Sequence, residues 1–169
     1  MIGKESMVRT TVRANCFDAS ALVKNYVEEE GSNIIREYWN SEPTRYTTLF
    51  CYFEALSVLK VKWKYKKEIT EDEYHKASFS LTAWFRYVSQ RIHDLDFTSL
   101  SVFDKAQDIA KKYSLDLSDV FQILSVKEGY FPPLARDSRT ILVTADEGLA
   151  KAARNEGIKV WYCMKEPTP

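Results

Sequence analysis

Four carboxylates carry the chemistry this sequence can do. Asp18 follows the strand-like run Thr10–Phe17, and Asp146 follows the apolar run Thr140–Thr144. Glu54 stands alone in Leu49–Leu59, a stretch otherwise apolar enough to be buried. Asp119 falls in the first turn of the helix expected after Asp116, where the helix dipole favours an anion. Each has a plain structural reading. Asp18 and Asp146 can cap helices, Asp119 can serve the dipole, and a buried Glu54 can pair with a base. One shared site accounts for all four at once. Converging carboxylates repel one another, and a hard divalent cation relieves that repulsion. All-oxygen ligands, with no cluster of cysteines or histidines, point to Mg²⁺ or Mn²⁺ rather than Zn²⁺. Asp116 competes with Asp119 for the third position.

The elements that must position these acids can be read from periodicity. Thr140–Asp146, then Glu147–Gly157, then Ile158–Tyr162 reads as strand, glycine-closed helix, strand: a βαβ unit. Ligands of open parallel sheets bind beyond the carboxyl ends of the strands, which is where Asp146 stands. Further strands are expected at Thr10–Phe17, Arg45–Thr48 and Ile92–Phe97. Helices are expected at Glu28–Asn40, from Leu49 into the lysine run at Lys60–Lys67, at Thr70–Gln90, from Ser99, and from Asp116 to Gly129. Thr70 and Glu73 have capping-box spacing. His75 reads as a surface residue, and His93 has no partner that would make a metal-ligand pair.

A chain of 169 residues fits one domain, here taken as 1–169. Residues 1–9 are expected to form a loose lead-in, 49–91 a helical portion and 163–169 a tail. Lys plus Arg and Asp plus Glu both number 24, which excludes a strongly basic protein with a large non-specific electrostatic footprint. Cys16, Cys51 and Cys163 are far apart and form no CxxC pair; they are expected to be buried free thiols in a reducing cytoplasm. No run has transmembrane length and no signal-peptide core opens the chain. Lys60–Lys67 interleaves lysines with Trp63 and Tyr65. On a continuing helix Lys60, Lys64 and Lys67 share a face, which suits single-stranded nucleic acid or simply a solvated helix end.

Asp18-Ala19-Ser20-Ala21-Leu22-Val23-Lys24, then Glu54, then Ser118-Asp119, then Thr144-Ala145-Asp146 with Leu149, Ala153 and Gly157, resembles the PIN-domain ribonucleases. Within them the chain is most similar to VapC-like toxins of type II toxin–antitoxin pairs. The resemblance covers roughly Val12 to Tyr162. It implies a three-layer α/β/α fold with a central five-stranded parallel sheet and a helical insertion. It implies that Asp18, Glu54, Asp119 and Asp146 bind Mg²⁺ or Mn²⁺, with Ser20 and Thr144 lining the same catalytic site. Ser-Asp at the head of an apolar helix is the family's form, which favours Asp119 over Asp116. The implied activity is hydrolysis of RNA to a 5′-phosphate and a 3′-hydroxyl. The near-zero net charge suggests a limited contact surface for RNA, with Lys60, Lys64 and Lys67 in the run Lys60–Lys67, and Arg86 or Arg91, as candidate contacts.

The same resemblance implies a homodimer built on the helices around Ile34–Trp39 and Phe50–Lys64. It also implies an antitoxin that presents a basic side chain to the acidic pocket. Tyr38, Trp39, Tyr52, Trp63 and Tyr65 exceed what one small core readily hides, which supports such an interface. The alternative is a silent PIN-like RNA-binding or regulatory module. A phosphatase using Asp-x-Asp is disfavoured because Ser20 occupies the third position.

Overall fold

A computed structural model describes residues 13–42, 44–92, 94–132 and 139–169. Within them, β1 is Asn15–Phe17, β2 Arg45–Tyr46, β3 Ile141–Thr144 and β4 Lys159–Tyr162. The helices are α1 Ala19–Tyr26, α2 Ser32–Ser41, α3 Leu49–Lys64, α4 Glu71–Ser89, α5 Leu100–Tyr113, α6 Leu117–Glu128 and α7 Glu147–Asn155. The four strands form one all-parallel sheet in the order β2-β1-β3-β4. The chain leaves β1 for β2 on one side, then returns past β1 to place β3 on the other. The carboxyl ends of β1 and β3 therefore flank a topological switch point, where open parallel sheets build their ligand crevice.

Alternation along the strands divides the core into two clusters. Phe17, Val143 and Trp161 point into one, with residues from α1, α2, α3 and α4. Cys16 and Leu142 point into the other, with residues from α5, α6 and α7. This is the period-two pattern of a sheet buried on both faces between helical layers. The βαβ unit forms as expected. Gly157, at φ +80°, terminates α7 in the left-handed region that glycine enters without strain. Ile158 N–H then closes onto Ala153 C=O.

Two expectations change. Among the described residues there are four strands, not five. Ile92 and Asp94–Phe97 have no strand partner and run as a connection into α5, while His93 lies outside the described residues. Period-two alternation marks an extended chain but cannot supply a neighbour, and Asp94 turns inward to meet Ser125. Also, α3 stops at Lys64, and Lys67 adopts φ +59°. Lys60 and Lys64 share the helix; Lys67 lies beyond it.

The long helix α4 is covered at its start by the expected capping box: Thr70 accepts from Glu73 N–H and Glu73 accepts from Thr70 N–H. Its buried side holds Ala77, Leu81 and Val88. Trp84 meets Trp39 at 4.7 Å, Phe85 stacks on Tyr52 at 4.2 Å, and Tyr74 stacks on Trp63 at 4.6 Å. The aromatics that argued for a dimer are thus mostly covered from within the chain. Tyr38 and Trp39 are buried, and Tyr65 stays exposed. No helix among the described residues is long and apolar enough to cross a membrane.

Candidate active site at the carboxyl edge of the sheet

Asp18 is the N-cap of α1 and is almost wholly buried. Its Oδ2 accepts from Ser20 Oγ at 2.5 Å, from Thr144 Oγ1 at 3.0 Å and from Ser20 N–H at 3.3 Å. Ser20 Oγ in turn accepts from Ala145 N–H at 2.9 Å, and Thr144 Oγ1 accepts from Asp146 N–H at 3.0 Å. The two hydroxyls therefore tie the end of β1 to the end of β3, with the Asp18 carboxylate at the knot. Burial pushes Asp18 above the ordinary carboxylate range, while its hydrogen bonds to Ser20 and Thr144 pull the other way.

Asp146, exposed at the end of β3, caps α7 by accepting from Leu149 N–H at 2.8 Å through Oδ1. Glu54 projects from α3 and is half-buried; its Oε2 is buried and has no hydrogen-bond partner. Burial and then the charge of Asp18 raise its pKa, with Asp116 and Asp146 adding to the effect and the Ser118 hydroxyl opposing it. Asp119, in the first turn of α6, is pushed up to about 7 by burial and then by the charges of Asp18, Glu54, Asp146 and Asp116. A helix N-terminus ordinarily favours the anion, so here the neighbouring acids and burial outweigh the dipole.

The fold therefore brings Asp18, Glu54, Asp119 and Asp146, from four separate elements, into one field, in which the neighbouring acids raise Glu54 and Asp119. Asp116, the N-cap of α6, stands at the rim and adds to that field without making a side-chain cap. The four do not close into a shell: among the described residues no three acid, cysteine or histidine groups are near enough to hold one ion. The hydrogen bonds explain the spread. Asp18 Oδ2 is committed to Ser20 and Thr144, Asp146 Oδ1 to a helix N-terminus, and like charges resist closer approach. The donor set is all oxygen, and the orphaned Glu54 Oε2 is a buried acceptor without a donor. Both fit a hard divalent cation in chemical type.

Behind Asp18 lies a layer that the sequence reading did not single out. The Cys51 thiol stands 3.1 Å from Gln122 Oε1 and 3.7 Å from Asp18 Oδ1, and its single hydrogen serves one of them at a time. Gln122 Nε2 donates to Cys16 Sγ at 2.9 Å. Gln122 is fully buried. Its signal was the one that marked Glu54: a lone polar residue in an apolar stretch, here Val120–Leu124 of α6. The three cysteines are free and buried, as expected. Lys60, Lys64 and Lys67 are exposed and have no acid partner among the described residues, and Lys64 Nζ sits 5.3 Å from the Trp63 ring centre. Lys62, between them, is held by Glu29 and Glu68.

Compared with known proteins, the sequence matches no family model and no curated protein.

Proposed function

We propose that this chain is a Mg²⁺- or Mn²⁺-dependent endoribonuclease of the PIN-like kind, hydrolysing RNA phosphodiester bonds. One observation carries the reading: four acids from four elements meet in one electrostatic field, Asp18 and Asp146 at the β1/β3 switch point, and three have raised pKa values. Evolved surfaces spread like charges apart; concentrating them serves a cation or proton chemistry. A divalent ion held by Asp18, Glu54, Asp119 and Asp146 would supply an acidified water and neutralise charge on the phosphate.

The chain's own residues do the positioning. Ser20 and Thr144 fix the rotamer of Asp18 and lock the two strand ends together, so the acids ride on a rigid edge. Asp146 is oriented by its cap, leaving Oδ2 outside that bond. Asp119, titrating near neutrality, can hold a proton that a bound cation would displace. Lys60 and Lys64 on α3, the helix that carries Glu54, offer unpaired charge for RNA phosphates. The narrower reading is a toxin whose antitoxin places an arginine among the acids, acting as a homodimer. It rests on the sequence resemblance, and light scattering coupled to gel filtration tests the dimer.

The deciding experiment is incubation of purified protein with single-stranded RNA in Mn²⁺ or in EDTA, beside Asp18→Asn. Cleavage in Mn²⁺ alone, absent from the variant, supports the reading. Wild-type protein that folds and leaves RNA intact across divalent metals would replace it with a silent binding module of the same fold.

A further inference from the structure

The outward side of α4 sets exposed rings among cations with no acid between them. Lys76, Phe79, Ala83, Arg86 and Tyr87 follow helical spacing on one stripe, and Arg91 extends it just past the helix end. All six are exposed, opposite the buried Ala77, Leu81 and Val88. Phe79 is 77% exposed and Tyr87 54%. Aromatic rings exposed to this degree add little to the core that α4 builds on its other side. The chain balances 24 bases against 24 acids, yet no Asp or Glu occurs from Tyr74 to Ile92. Lys76 and Arg86 have no ion-pair partner among the described residues. Arg91 lies 3.9 Å from the Tyr87 ring centre and donates to its hydroxyl.

A face meant for another helix would carry a continuous apolar stripe. Here each exposed ring is neighboured by a cation, which is the pattern that receives bases on rings and phosphates on side-chain charge. We propose that this face of α4 binds single-stranded RNA outside the acidic site. Phe79 and Tyr87 stack bases, and Lys76, Arg86 and Arg91 contact the backbone. The choice of RNA rests on the ribonuclease reading; the choice of a flexible single strand rests on the stripe. The rings are eight residues apart, about 12 Å along the helix, a span that a short run of unpaired nucleotides can bridge. A duplex keeps its bases stacked on one another and offers the rings no such face.

The test uses the full chain carrying Asp18→Asn to prevent cleavage, and fluorescence anisotropy with labelled oligouridine. Phe79→Ala with Tyr87→Ala should weaken binding at least about tenfold, while Tyr87→Phe, which keeps the ring, should bind like its parent. Arg86→Glu should weaken binding several-fold and reduce the steepness of its salt dependence. In the otherwise wild-type chain, the double variant should retain Mn²⁺-dependent hydrolysis of bis(p-nitrophenyl) phosphate, which needs no extended strand. Unchanged affinity in the double variant, stronger binding of duplex than of single strand, or a dimer that falls apart on the same substitutions would each overturn the proposal. A chain that hydrolyses no diester yet loses oligouridine with the double variant would sink the nuclease reading and leave this one standing.

Discussion

At the head of α4, Glu71, Asp72 and Glu73 meet a helix N-terminus that welcomes their charge; at the carboxyl edge of the sheet, Asp18, Glu54 and Asp119 are each penalised for carrying it. The residue types are the same and the sign of the effect is reversed. Glu73 is exposed, accepts from the backbone and hydroxyl of Thr70, and is held below the ordinary carboxylate range. Asp119 is also in a first helical turn, but burial and the neighbouring acids lift it to about 7. Water and the two donors of Thr70 decide the first case; removal of water and the company of like charges decide the second. Acids placed for stability resemble the first. Acids that cost stability in the folded state and persist in one crevice are arranged for something else.

The sharpest way to break this contrast is Asp18→Asn. It should abolish metal-dependent RNA cleavage, by roughly a thousandfold or more if the ion is lost. It should leave the melting temperature in EDTA equal to wild type or higher, because Asn keeps an oxygen for Ser20 and Thr144. Asp18→Ala removes the cap as well and should cost about 1 kcal/mol relative to Asn. Equal loss of stability in both variants would make the charge itself structural. Next in size is Leu81→Ala on the buried side of α4, where about 2–5 kcal/mol of destabilisation is expected by chemical denaturation. A near-neutral result would mean that α4 is an appendage and does not cover the core.

The pH profile separates the two acid groups directly. Asp119's folded pKa lies above its unfolded value, so its cost is absent below about pH 4 and grows as pH rises toward 7. Asp119→Asn should therefore stabilise the chain in EDTA at pH 8, by about 1–2 kcal/mol after allowing for its partial exposure, and do nothing near pH 3. Glu73 has the opposite sign. Its contribution is present above the unfolded pKa near 4.5 and is lost as pH falls through the lower folded value, so Glu73→Gln should matter at neutral pH and not in acid. Urea titrations of both variants across that range check the crossing. The smallest effect expected is at the cap itself: Thr70→Ala should cost about 1 kcal/mol at pH 7, with RNA cleavage unchanged.

Much of this was written in the chain. The βαβ unit from Ile141 to Tyr162, the glycine stop at Gly157, the capping box of α4 and the end of α6 at Gly129 depend on spacing and on local backbone preference, which sequence records directly. The acids were legible for the same reason: Asp18 and Asp146 end apolar strands, and Glu54 is a lone charge in an apolar helix. What tertiary structure alone decided are matters of neighbours. Ile92–Phe97 alternates like a strand but has no partner among the described residues. Trp39, Tyr52 and Trp63 look like an interface until α4 lies over them, and Tyr38 until it packs on Phe17 and Trp161. Cys51 reaches Asp18 because α3 packs on α1, and Gln122 reaches Cys51 because α6 packs on α3. Local signals follow from covalent geometry and period, whereas pairing, covering and the sharing of one electrostatic field depend on residues tens of positions apart arriving at the same place.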